Sequence, residues 1–160
     1  LKLGDYFNSG MLLMNMKELR NVKLAEHFLY LLNKYHFDCV APDQDYLNSM
    51  CYGKIEYLDS CWDAMPNRNK PEIKDPKIIH YNLFDKPWCY DDIQYQDYFW
   101  KYARQSVYYD EIKAFKAAYT DKQKEEDHAH LLDLFKRAGT NADTEVTFRK
   151  VMESGEKIRL

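Results

Sequence analysis

Tyr6-Phe7-Asn8-Ser9-Gly10-Met11-Leu12-Leu13-Met14-Asn15 is the stretch on which the reading of the whole chain turns. A polar turn, Asn8-Ser9-Gly10, runs directly into an apolar run from Met11 to Met14 and closes on Asn15. Glycine at position 10 permits a tight bend or a close backbone approach that a side chain would block. The run behind it predicts a short, fully buried strand. Polar groups at the mouth of a buried strand are held rigidly, which suits chemistry. An ordinary turn before a core strand fits the same residues.

Outward from this stretch, Met16 to Val22 reads as a polar connection or a short helical turn. Lys23 to Phe37 predicts a helix, because Leu24, Phe28, Leu31, Leu32 and Tyr35 recur at three- and four-residue intervals. His27 and His36 lie beside that stripe and read as ordinary helix histidines. Pro42 disfavours helix at Ala41, and Asp43 then suits the N-cap of a helix running to about Tyr52. Lys54 to Leu58 is a candidate short strand, and Asp59 to Asp75 a loop. Lys77-Ile78-Ile79-His80-Tyr81 is a second buried-strand candidate.

Beyond Trp88 the character turns helical. Asp91 to Tyr102 predicts a helix with Ile93, Tyr98, Phe99 and Tyr102 in its apolar set, and Ser106 is placed to cap the next. Thr120 and Gln123 have capping-box spacing, and Gly139 suits the end of the helix they open. Asn141 to Leu160 is polar with weak apolar anchors, and its last residues are expected to fray. The layout is therefore α/β over residues 1–90, followed by a helical C-terminal extension over 91–160.

The 160 residues are enough for one domain with a substantial core. They open on Leu1 without an initiator methionine and meet the strand pattern almost at once, so an upstream half is expected. A formal charge of -3, from 23 basic and 26 acidic residues, argues against a nucleic-acid partner bound through net charge. No apolar run is long enough to span a membrane. Cys39, Cys51, Cys61 and Cys89 match no zinc spacing and read as free thiols of a reducing compartment. With 14 Tyr, 8 Phe and 3 Trp, the composition suits a polar pocket walled by rings, or an interface.

Polar clusters stand at the ends of three predicted elements: Asn8-Ser9-Gly10, Asp43-Gln44-Asp45, and His80 to Lys86. A neutral imidazole can ligate a metal ion, and an ammonium six residues on can face a phosphate. In this order, Tyr6-Phe7-Asn8-Ser9-Gly10 with Asn15, then Pro42-Asp43-Gln44-Asp45-Tyr46-Leu47-Asn48, then Ile79-His80-Tyr81 with Lys86-Pro87-Trp88, the chain resembles the C-terminal part of the family 8 retaining glycosyltransferases. The likeness covers roughly Tyr6 to Trp88. It implies part of a GT-A nucleotide-sugar fold that lacks its N-terminal nucleotide-binding half.

The resemblance also implies a reaction: retaining transfer of glucose or galactose from a UDP-sugar to a saccharide or glycolipid acceptor. It implies manganese or magnesium, a bacterial and cytoplasmic setting, and peripheral contact with the inner face of the membrane. His80 corresponds to the metal-ligating histidine and Lys86 to the lysine on the diphosphate. Asp43 corresponds to the aspartate that grips donor-sugar hydroxyls, and Gln44 to the residue near the anomeric carbon. Asn8, Ser9 and Gly10 correspond to the loop lining the sugar site. Gln44 has no ionisable carboxylate, which favours front-face departure over a covalent intermediate. Two features depart from the family pattern: Leu83 stands where the family has a glycine, and Asp43-Gln44-Asp45 is not the family's metal-binding Asp-x-Asp, which lies upstream. The chain by itself is therefore expected to be inactive. The competing reading is a non-catalytic carbohydrate-binding or assembly module derived from such an enzyme.

Overall fold

A computed structural model describes residues 3–160; Leu1 and Lys2, with which the expected α/β region opens, lie outside the described residues. The elements are helices joined by loops: α1 (Met16–Asn21), α2 (Leu24–Tyr35), α3 (Pro42–Met50), α4 (Gln96–Ala103), α5 (Tyr109–Ala118), α6 (Asp121–Asn141) and α7 (Phe148–Glu153), with 3-10 turns at Leu3–Asp5 and Ser60–Asp63. The chain forms two compact units. The first comprises residues up to Tyr57 together with Asp133–Leu160, and the second Leu58–Leu132. The expected boundary between residues 90 and 91 falls inside the second unit.

In the first unit, α2 supplies the predicted stripe. Leu31 is fully buried, Leu24, Phe28 and Tyr35 pack against the core, and Leu32 turns outward. Opposite stand Tyr46 and Met50 of α3, with Phe37 from the connecting segment. Aromatic rings fill the centre: Phe37 stacks on Phe148 at 3.9 Å, and Tyr46 meets Phe148 edge-on at 5.0 Å. Such offset and edge-on contacts suit the ring quadrupoles. Val151 of α7 and Ile158 close this core. Ile158 is 1% exposed, and the Leu160 N–H donates to the Met50 carbonyl at 3.0 Å, so the expected fraying of the last residues does not occur.

The predicted strands are the main correction. Among the described residues no strand forms. Met11–Met14 follows the Ser9-Gly10 turn without regular structure, and Leu13 is 88% exposed. Lys54–Leu58 is a turn and loop, and Lys77–Tyr81 contributes one isolated parallel bridge, Ile79 to Ala64. An apolar run reads the same whether or not a sheet lies beside it. A strand exists only where a second backbone takes its hydrogen bonds. The α/β architecture expected over residues 1–90 is thus not present as such among the described residues.

Helix limits shift for local reasons. Asp43 is not the N-cap of α3: Ala41 is, Pro42 takes the first helical position, and Asp45 supplies the capping carboxylate. Proline suits that position because its missing N–H would be unpaired there anyway. Asp92 (φ +57°) and Tyr95 (φ +62°) interrupt the helix predicted from Asp91, so α4 begins at Gln96. The capping box of α6 forms as read, with Thr120 N–H on Gln123 Oε1 at 2.9 Å and Gln123 N–H on Thr120 Oγ1 at 3.3 Å. α6 then continues through Gly139 to Asn141. No helix among the described residues is long and apolar enough to cross a membrane.

In the second unit Ala64, Ile93, Tyr95 and Ala103 are buried, and the rings of Tyr81, Trp88 and Phe99 pack against one another. Lys116 of α5 donates to the carbonyls of Pro87 and Tyr90, at 2.8 and 2.5 Å, and so ties α5 to the segment after Lys86.

Candidate functional site

The opening turn is built onto α3 by one side chain. Asn48 is fully buried. Its Oδ1 accepts from the Phe7 N–H at 2.9 Å, and its Nδ2 donates to the Phe7 and Gln44 carbonyls at 2.8 and 2.9 Å. The carboxamide thus pairs with the Phe7 backbone as a neighbouring strand would. In the sequence Asn48 stands only as one letter of the Pro42–Asn48 motif. The detectable signal was an amide four residues after Gln44, on the α3 face shared with it.

With Phe7 held, the next residues meet the start of α3. Ser9 N–H donates to Gln44 Oε1 at 2.9 Å, and Ser9 Oγ donates to Asp43 Oδ2 at 2.9 Å. Asn8 Oδ1 accepts from the Gly10 N–H at 2.7 Å, closing the turn on itself. Asn8, Ser9, Gly10, Asp43 and Gln44, all singled out from the sequence, therefore form one cluster within the first unit. Asp45 points elsewhere. Its carboxylate accepts from the Val40 and Ala41 N–H groups at 3.1 and 3.2 Å and from the Tyr6 hydroxyl. Because Asp45 does the capping, Asp43 keeps an exposed carboxylate with lone pairs beyond the one used by Ser9.

In the second unit, the Ala64–Ile79 bridge brings two short segments side by side. Ala64 N–H donates to the Ile78 carbonyl and His80 N–H to the Ala64 carbonyl, at 3.0 and 2.9 Å. This register sets Asp63, at the end of a 3-10 turn capped by Asp59, beside His80. Asp63 Oδ1 lies 3.0 Å from His80 Nδ1. A carboxylate only accepts, so Nδ1 carries a proton, and in the neutral imidazole Nε2 is then the nitrogen with a lone pair for a ligand. Asp63 was missed in the sequence because it precedes His80 by 17 residues, across a loop. Among the described residues no group of three His, Cys, Asp or Glu side chains is placed to enclose a metal ion. His80 fits one ligand position, and the described set does not complete a site.

Lys86, also in the second unit, is held by protein groups. Its ammonium donates to the Tyr81 carbonyl and stands 5.5 Å from the centre of the Trp88 ring. Burial pushes its pKa down from the ordinary lysine value. Between His80 and Lys86, Leu83 adopts φ +44°, in the left-handed region that side chains avoid. The backbone thus keeps a glycine-like conformation at the position where this chain carries leucine.

The family model for Glycosyl transferase family 8 matches residues 2–92. The chain is 30% identical over 92 residues to a candidate glycosyltransferase of Haemophilus influenzae, covering 52% of this chain and 28% of that protein. It is 30% identical over 99 residues to the lipopolysaccharide 1,2-glucosyltransferase of Escherichia coli, covering 54% and 29%. General stress protein A of Bacillus subtilis is 26% identical over 102 residues, covering 53% and 36%. Each match therefore spans no more than about a third of the relative's length. No solved structure matches the chain.

Proposed function

This chain belongs to glycosyl transferase family 8, and from that premise we propose that it carries the sugar-facing part of a retaining hexosyltransferase that uses a UDP-sugar. The observation that carries the reading is the hydrogen-bonded cluster of Ser9 with Asp43 and Gln44 inside the matched residues. Asp43 would accept hydrogen bonds from hydroxyls of the donor sugar through its remaining lone pairs. Asn8, Ser9 and Gly10 would line the same sugar. Gln44 would stand near the anomeric carbon, where a neutral amide oxygen steadies positive charge but is a poor nucleophile. Retention then follows from departure and attack on one face, with the diphosphate taking the acceptor's proton.

Lys86 is assigned to the diphosphate, where a cation offsets charge developing on the leaving group. His80, oriented by Asp63, is assigned as one ligand of the manganese or magnesium ion that such enzymes use. With no completed metal set among the described residues, we expect no transfer from these 160 residues acting alone. The domain assignment is a GT-A catalytic part over 1–90 and a helical extension over 91–160. The name of the E. coli relative favours glucose as the sugar and a lipopolysaccharide saccharide as acceptor. A cytoplasmic site of action, at the inner face of the membrane, suits that pairing.

Titration of UDP-glucose and UDP-galactose with manganese into the full-length protein tests this reading. Saturable, metal-dependent binding that His80→Ala abolishes supports it, and absence of binding by folded protein sinks it. Donor binding without transfer to any saccharide acceptor would favour the non-catalytic module.

A further inference from the structure

The carboxamide of Gln44 has only one orientation that satisfies its neighbours. Ser9 offers a backbone N–H, which donates and never accepts, 2.9 Å from Oε1. The oxygen must therefore face Ser9, and the nitrogen must face the other partner, the Tyr6 hydroxyl at 3.1 Å. That hydroxyl has a single proton, and it goes to Asp45 Oδ1 at 2.5 Å, a charge-assisted bond. The lone pairs of the Tyr6 oxygen are then free to accept from Gln44 Nε2. The resulting chain runs one way: Ser9 N–H to Gln44 Oε1, Gln44 Nε2–H to Tyr6 oxygen, and Tyr6 O–H to the Asp45 carboxylate. Asp45 is itself anchored by the Val40 and Ala41 N–H groups, so the chain ends on a fixed point at the head of α3.

We infer that Tyr6 is a positioning residue for the proposed transfer, acting through the hydrogen bond by which it locks the Gln44 carboxamide. The inference rests on the transferase reading for its catalytic consequence and on geometry alone for the lock. One Nε2 hydrogen of Gln44 is held by Tyr6; the Ser9 hydroxyl, 3.5 Å from Oε1, gives its single proton to Asp43 at 2.9 Å, so the second lone pair of Oε1 stays open to the sugar. Without the phenol, Nε2 loses its fixed partner and the amide is held from one side only, by the Ser9 N–H on Oε1, about which it can rotate. Burial and the bond to Asp45 push the Tyr6 pKa up to about 12, so the phenol keeps its proton throughout the neutral range.

Tyr6→Phe removes the hydroxyl and keeps the ring. Side-chain amide NMR on the 160-residue chain reads the lock directly, with the Gln44 signals assigned by their loss in Gln44→Glu and the Asn48 amide as a folding control. The expected result is that Tyr6→Phe shifts one Gln44 Nε2 proton and speeds its exchange about tenfold or more, while the Asn48 amide stays unchanged. In the full-length protein, kcat for sugar transfer should fall about five- to tenfold with KM for the UDP-sugar held, the size expected for one lost hydrogen bond. Gln44 amide signals indifferent to Tyr6→Phe would overturn the lock, and an unchanged kcat would overturn its catalytic role. A Gln44 amide that responds to Tyr6→Phe, together with a full-length wild-type protein that turns over no UDP-sugar, would overturn the transferase reading and leave the lock standing.

Discussion

At the residue scale, Leu83 is the informative exception. It holds φ +44°, a conformation that costs an L-residue about 1–2 kcal/mol, and its side chain is 61% exposed, so little packing offsets the strain. Leu83→Gly removes the Cβ clash at the entropic cost of a freer unfolded chain. The net expectation is a stabilisation of roughly 0.5–1 kcal/mol, read as a rise in urea midpoint at unchanged slope. The three adjacent polar residues of the α3 head show a second lesson. Asp43, Gln44 and Asp45 have similar letters and different work: Asp43 holds the Ser9 hydroxyl, Gln44 the Ser9 backbone, and Asp45 the entry of the helix.

At the element scale, α3 and the opening turn form one device through Asn48. Asn48→Ala leaves the Phe7 N–H and carbonyl without their side-chain partner and should cost about 2–4 kcal/mol in chemical denaturation. The same variant should loosen the Ser9 contacts and weaken donor binding. Near the head of α3, burial foremost, and then the Asp45 and Asp38 charges, push the Cys39 thiol from 9.0 up to about 12. The unfolded thiol ionises near pH 9, whereas the folded thiol keeps its proton to about pH 12. The folded chain then binds more protons than the unfolded one, so this contribution to stability is complete below pH 9 and declines above it. Denaturation midpoints should fall between pH 8 and pH 10.5, and Cys39→Ala should flatten part of that fall.

At the scale of the whole molecule, the last residues belong to the core of the first unit. Ile158 packs with Leu31, Phe37, Tyr46, Met50 and Val151, and its carbonyl lies 2.7 Å from His27 Nε2. Ile158→Ala should therefore destabilise the first unit by about 2–4 kcal/mol, measured by thermal or urea unfolding. A terminal segment without a core role would tolerate the change within about 0.5 kcal/mol. The long-range pairing also explains why a division by composition, α/β then helical, differs from the division into compact units: chain order does not set which helices share a core.

Local rules were legible wherever one residue's partner lies within a turn or two. The α2 stripe and the capping box of α6 are of this kind. The motif residues Asn8, Ser9, Gly10, Asp43, Gln44, His80 and Lys86 were legible in another way: their order pointed to the family that the comparison then showed, although Ser9 and His80 find their partners far along the chain. Tertiary structure decided the rest. It set Asp63 on His80 across a loop, Asn48 on the Phe7 backbone, Tyr6 on Gln44 and Asp45, and Ile158 in the core. It also left the Met11–Met14 run without a strand. Apolar content is a property of a segment, but a strand, an oriented imidazole and a locked amide are each defined by a partner remote in the chain.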